Sequence, residues 1–123
     1  MARRHSRGIG QGFELLALKH LKANGLRELG RNFSCRGGEI DLVMMDKKTL
    51  VFVEVRFRQP SAFASAAESV DLHKQKRLIH CALAYLARHP VHANSTIRFD
   101  VIAVNGQPNE QYAIQWIKDA FRP

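Results

Sequence analysis

Two short acidic patterns hold the residues best suited to chemistry: Gly38-Glu39-Ile40-Asp41 and Val53-Glu54-Val55-Arg56. Both lie in apolar, β-prone runs, and only Met45-Asp46-Lys47-Lys48-Thr49 separates those runs at a turn. With a two-residue Lys47-Lys48 loop, Asp46 faces Thr49. Counting back along the hairpin then sets Asp41 opposite Glu54 and Glu39 opposite Arg56. Like charges directly opposite on one sheet face are destabilising, unless a divalent cation or a strong base lies between them. The register is sensitive to the turn, because a three-residue loop puts Asp41 opposite an apolar neighbour. Lys-Lys is also a poor type I′ pair, which leaves a four-residue loop with the same pairing as an alternative.

Carboxylates converging at one end of a sheet suit Mg2+ or Mn2+. These cations take oxygen ligands from one or two carboxylates and fill the rest with water and substrate phosphate. Asp41 and Glu54 are the expected ligands, with the Val55 carbonyl as a further oxygen. Such a cation polarises a phosphodiester oxygen and lowers the pKa of an attacking water. The competing structural reading is a Glu39–Arg56 ion pair across the strands, with Asp41 satisfied by backbone donors.

Glu14 sharpens the metal reading. It lies on the edge of the inward stripe of the first helix, where an ionised carboxylate is costly unless paired or metal-bound. A first-turn Glu is also favoured by the helix dipole alone. Gln75, on the apolar side of the long helix, could contact the attacking water or the scissile phosphate, or be a buried amide bonded to backbone. Lys74, Lys76 and Arg77 beside it, with Arg36 and Arg58 flanking the acidic strands, form a candidate nucleic-acid-binding set, or else a solvated basic face. His73 and His80 share a helix side without a third ligand, so they read as surface residues.

The elements that must position these groups follow from periodicity. Phe13, Ala17, Leu18 and Leu21 recur at helical spacing, which predicts an amphipathic helix over 11–24 ended by Gly25. A weaker strand over 26–33 and an Arg36-Gly37-Gly38 turn lead into strands over 39–45 and 50–57. Ile40, Leu42, Met44, Val51, Val53 and Val55 make one hairpin face wholly apolar. The other face is apolar only near the turn, so it should be partly covered, its charged end opening into a cleft. After a loop over 59–68, Asp71 or Ser69 can cap a long helix running to about His89 before Pro90. Leu72, Gln75, Ile79, Ala82, Leu83 and Leu86 are its expected inward stripe. A strand over 96–104 carries Asp100, read as structural and paired with Arg98 or a helix terminus. Beyond an Asn105-Gly106 turn, 114–121 forms a short helix or strand packing Trp116 and Phe121. The order αβββαβ with a short C-terminal element predicts an α/β fold, a mixed sheet flanked by helices.

Composition sets the wider limits. The 123 residues suffice for one domain, read as 10–123, preceded by a flexible basic arm over 1–9 that carries Arg3, Arg4, His5 and Arg7. Lys and Arg number 19 against 11 acidic residues, a net charge of +8 that favours an anionic polymer as partner, nucleic acid before a membrane surface. Cys35 and Cys81 belong to no CxxC or Cys/His cluster, which argues against structural zinc. With nothing pointing to export, two reduced, part-buried thiols are expected. The basic N-terminus lacks the apolar stretch of a signal peptide, and no run approaches a membrane span. A cytoplasmic protein is expected.

At these residues the chain resembles the bacterial YraN-like family, small proteins assigned to the PD-(D/E)xK restriction-endonuclease-like superfold. The likeness covers nearly the whole chain. It takes in Gly10 to Leu21 with Glu14, Gly25, Asn32, Gly38-Glu39-Ile40-Asp41, Val51-Phe52-Val53-Glu54-Val55-Arg56, Lys74-Gln75, Arg98-Phe99-Asp100-Val101 and Trp116 to Phe121. The resemblance implies metal carboxylates at Asp41 and Glu54. Glu14 falls where archaeal Holliday-junction resolvases, similar in fold, carry a helix-borne acid, and Gln75 matches an extra polar position on the following helix. One departure stands out: the motif's lysine is Arg56 here. Arginine stays charged at any working pH, so it can hold a phosphate but cannot act as a general base.

The expected function is therefore a metal-dependent DNA endonuclease, using Mg2+ or Mn2+, with branched or recombination-intermediate DNA as candidate substrate. Two rivals remain at this level. One is a non-catalytic nucleic-acid-binding module. The other is a scaffold docking onto a helicase or recombination protein through Trp116 to Phe121. A two-fold homodimer would suit a symmetric junction, although no residue demands it.

Overall fold

The computed structural model describes residues 7–58, 70–106 and 111–123, and for residues 7–11 and Arg58 the backbone alone. Helix α1 spans Arg7–Ala23, then β1 Arg27–Cys35, β2 Gly38–Asp46 and β3 Thr49–Arg58. Helix α2 covers Leu72–Arg88, followed by a 3-10 turn at Pro90–His92, β4 at Thr96–Gly106 and β5 at Tyr112–Phe121. The five strands form one sheet in the order β1-β2-β3-β4-β5. Only β3 and β4 run parallel, and α2 lies in the crossover that a parallel pair requires. The chain is thus α/β, a five-stranded mixed sheet with two helices, compatible with a restriction-endonuclease-like fold. The expected loop over 59–68 and the first residues of the basic arm lie outside the described residues.

Helix α1 begins four residues before the expected start, and Gly25 follows its end at φ 93°, a left-handed position that glycine takes without steric cost. The β2–β3 turn settles the register. Asp46 pairs with Thr49 and Leu42 with Val53, so the loop is the two-residue Lys47-Lys48, with Lys47 at φ 57°. The segment over 114–121 is a strand rather than a helix. The 3-10 turn at Pro90 had no sequence-based expectation.

Each sheet face carries its own core. Phe13, Ala17, Leu18 and Leu21 of α1 pack on Leu42, Met44, Val51, Val53, Ile102 and Val104. On the opposite face α2 buries Leu78, Cys81, Ala82 and Tyr85 against Val43, Met45, Leu50, Phe52, Phe99 and Val101. The expected partial cover of the mixed hairpin face is therefore α2. Two packing expectations are corrected. Ile40 belongs to the α2 core, not to the face of Leu42 and Met44. The inward stripe of α2 is also rotated, leaving Leu72 and Leu83 exposed. Tyr85 explains that rotation, because its ring meets Phe33 and Phe52 edge-on and so draws its own side of the helix onto the sheet.

Cys35 and Cys81 form a disulfide, which overturns the expectation of two reduced thiols. The end of β1 and the middle of α2 bring their Cα atoms to 5.4 Å, within the range that a disulfide spans. Sequence separation concealed that proximity. Gly38 passes close beneath the same helix, where a Cβ would make a tight contact of 3.2 Å with Cys81 Sγ.

Asp100 is structural, as expected, and pairs with Arg98 rather than with a helix terminus. Its carboxylate accepts from Arg98 Nε and Nη2 at 2.9 and 3.0 Å, from Trp116 Nε1 at 3.0 Å and from the Asp119 backbone N–H at 2.9 Å. Four donors offset the burial of one charge. They also lock β5 onto β4 where the register shifts between Phe99 and Val101.

Candidate active site

The regular β2–β3 ladder runs from Asp46↔Thr49 to Leu42↔Val53, and the acidic residues lie just beyond its last pair. There a side chain takes over from the backbone: Asp41 Oδ2 accepts from the Val55 N–H at 2.8 Å. Asp41 and Glu54 are only 8% and 5% exposed, and their side chains lie within hydrogen-bonding reach of each other. Burial is the main force raising the Asp41 carboxyl well above the usual carboxylate range. The negative charge and contact of Glu54 push the same way, and Glu14 adds a smaller repulsion. The Val55 hydrogen bond opposes the shift without reversing it. Asp41 therefore holds a proton more readily than a solvated carboxyl does.

Two cations meet Glu54. Arg56 Nη1 lies 3.2 Å from Glu54 Oε2, and Lys74 Nζ lies 3.4 Å from the same oxygen. Lys74 reaches the site because Asp71 caps α2, its Oδ1 accepting from the Lys74 N–H at 2.8 Å and fixing the first turn against the sheet. By sequence Lys74 belongs with the phosphate contacts. No local pattern placed it beside the acids; the docking of α2 on the sheet does.

Asn32 is the residue whose role sequence reasoning missed. It sits within β1 at φ 52°, a left-handed conformation in which Asn is several-fold enriched. With its carboxamide nitrogen turned toward the acids, it donates to Glu14 Oε1 at 3.1 Å and Glu39 Oε1 at 3.3 Å. It thereby ties α1 to the start of β2. An Asn inside a strand, where that residue is depleted, was the available clue.

The remaining candidates take other positions. Gln75, half-buried, donates from Nε2 to the Val70 carbonyl at 3.0 Å, the backbone-bonded alternative. Arg36, Lys76 and Arg77 are exposed, Arg36 in the β1–β2 turn and the other two on α2. The Arg58 side chain lies outside the described residues. Among the described residues, no group of three or more His, Cys, Asp or Glu is arranged to hold a metal ion. What the fold brings together is the Asp41–Glu54 pair with Arg56 and Lys74, with Glu14 and Glu39 clamped by Asn32. Two buried carboxyls in contact are hard oxygen donors, a set that fits Mg2+ or Mn2+ when water and substrate supply the other ligands. No described helix is long and apolar enough to cross a membrane.

The model of the uncharacterised protein family UPF0102 matches residues 13–104, from Phe13 of α1 through β4, and so includes every residue of the site. A UPF0102 protein of Stutzerimonas stutzeri is 48% identical over 116 residues, 94% of this chain and 96% of its own length. One from Alcanivorax borkumensis is 47% identical, over 96% of this chain and 94% of its own. One from Pseudomonas syringae is 44% identical, over 98% of both. With the family model covering most of its length and relatives near half identical end to end, the chain belongs to UPF0102, the YraN-like family.

Proposed function

We propose that this protein is a metal-dependent endonuclease acting on DNA. The observation that carries the reading is the buried contact between Asp41 and Glu54. Two carboxyls held together out of water weaken the fold, and a chain of net charge +8 offers cheaper ways to end a strand. Asp41 and Glu54 would hold Mg2+ or Mn2+, which when bound supplies polarisation of the phosphodiester and acidification of the attacking water. The chain's own groups do the rest. Arg56, charged throughout, holds a phosphate oxygen and stabilises charge as it builds there. Lys74, the ammonium beside Glu54, donates to the attacking water and holds it in line, and the proton that this water loses passes to bulk solvent. Lys76 and Arg77 on α2, with Arg36, offer positive charge to the flanking backbone.

The same ion pairs favour one alternative. Arg56 and Lys74 already neutralise Glu54 without a metal, as suits a DNA-binding module that does not cut. The deciding experiment incubates flap, Holliday-junction and single-stranded DNA with Mg2+ or Mn2+, using wild type, Asp41→Ala and Glu54→Ala. Cleavage by wild type that both substitutions abolish is expected. Wild type that cuts nothing, or variants that cut undiminished, would end the endonuclease reading. Salt-sensitive binding without cleavage would leave the binding module.

A further inference from the structure

We propose that Phe57 is a stacking platform for an unpaired nucleobase, so that the DNA this site selects carries unpaired bases beside the acid pair. The inference rests on the DNA reading above and extends it to substrate class.

Phe57 is an exposed large apolar residue on β3, the strand that carries Glu54 and Arg56. It is 46% exposed, whereas Phe13 beneath it is 3% exposed. The two rings stack with centroids 4.5 Å apart and planes 3° from parallel. One face of Phe57 is thus anchored on a core residue of α1, and nearly half the residue is left to water. An anchored ring of this kind loses little further freedom on binding.

Its position ties it to the acids. Phe57 follows Glu54 by three residues on β3, roughly 10 Å along a strand at about 3.3 Å per residue. Glu54 and Arg56 face α2, and Phe57 faces α1. Phe13 seats the ring, and its neighbour Glu14 is close enough to raise the Asp41 carboxyl. One turn of α1 therefore serves both the platform and the acid pair.

The chemistry selects the ligand. Every nucleobase offers a π face, and base–aromatic stacking is strong and sequence-tolerant. Within a duplex those faces are covered by neighbouring base pairs, so an intact helix interior has nothing to place on Phe57. An unpaired base does, while Arg56 and the basic face of α2 hold its backbone.

The test compares an intact duplex with the same duplex carrying a central mismatched bubble, two ligands equal in phosphate number and in ends. Binding is read by fluorescence anisotropy in chelator, so that no cleavage occurs. Wild type should prefer the bubble by about tenfold, the scale of one base–aromatic stack. Phe57→Ala should abolish that preference and leave duplex affinity within about twofold, while Phe57→Trp should retain it. Should Phe57→Ala fail to fold, Phe57→Leu keeps an apolar contact with Phe13, offers no π face and gives the same readout. Because the readout is a ratio, loss of active protein lowers both affinities and cannot imitate the effect. A wild type without preference, or a preference that survives in the alanine or leucine variant, overturns the proposal. Failure to cleave any DNA would sink the endonuclease reading and leave this ratio standing.

Discussion

Lys74 Nζ lies 3.4 Å from Glu54 Oε2, the carboxylate oxygen that Arg56 Nη1 approaches at 3.2 Å. The two cations reach it from different elements, Arg56 from β3 and Lys74 from the capped first turn of α2. Arg56 brings a planar, delocalised guanidinium and Lys74 a compact, strongly hydrated ammonium.

That difference separates the two cations experimentally. Lys74→Arg keeps the positive charge and should bind DNA within a few-fold of wild type. Its metal-dependent cleavage should fall by up to about a hundredfold, because a planar guanidinium cannot place a donor where the compact ammonium holds the attacking water. Arg56→Lys keeps a charge at the phosphate and should lose far less. Single-turnover cleavage beside anisotropy binding makes the comparison. Full activity in Lys74→Arg would remove Lys74 from the positioning of the water and leave it as an ion-pair partner.

The raised Asp41 carboxyl gives the metal-free protein a defined pH dependence. Between the ordinary carboxylate range and the raised folded value, the folded state holds a proton at Asp41 that the unfolded chain has lost. Stability must then fall as pH rises through that window, and the penalty is absent below the unfolded pKa. Asp41→Asn removes the charge but keeps an oxygen able to accept from the Val55 N–H. It should therefore stabilise the protein at neutral pH by about 1 kcal/mol or more, the worth of a tenfold change in proton affinity. The gain should shrink toward acid pH. Urea unfolding in chelator at several pH values reads this directly, and a variant no more stable than wild type at neutral pH contradicts it.

The Cys35–Cys81 bond closes a long loop, with its two cysteines 46 residues apart in sequence. Loop-closure entropy makes such a link worth about 2–4 kcal/mol. Denaturant unfolding with and without reductant should differ by that amount, and native protein should show no titratable thiol. Coincident curves with two reactive thiols would show that the native contact is unbonded.

Much of this was legible in the chain alone, because it is local. Apolar, β-prone runs over 39–45 and 50–57 about a two-residue turn predicted the hairpin. The ladder stops at Leu42↔Val53, however, so Asp41 and Glu54 lie just beyond it rather than as the expected ladder pair. The Asp71 cap and Pro90 bounded α2, and helical spacing put Phe13, Ala17, Leu18 and Leu21 inward. The chemical character of the acids follows from residue type and a period of two.

What the sequence left open depended on contacts between distant segments. Periodicity names an apolar arc on α2 but not its rotation, which the Tyr85 contacts with Phe33 and Phe52 decide. The disulfide, the Asn32 clamp on Glu14 and Glu39, and the stacking of Phe57 on Phe13 each join residues that no local pattern relates. Lys74 was visible as a basic residue, and only the docking of α2 on the sheet made it the partner of Glu54. Sequence determined which groups the strands would present wherever the period of two holds, as it does from Leu42 to Met45 and fails at Ile40. Tertiary packing decided which of them meet, since that depends on how whole elements settle to fill two cores.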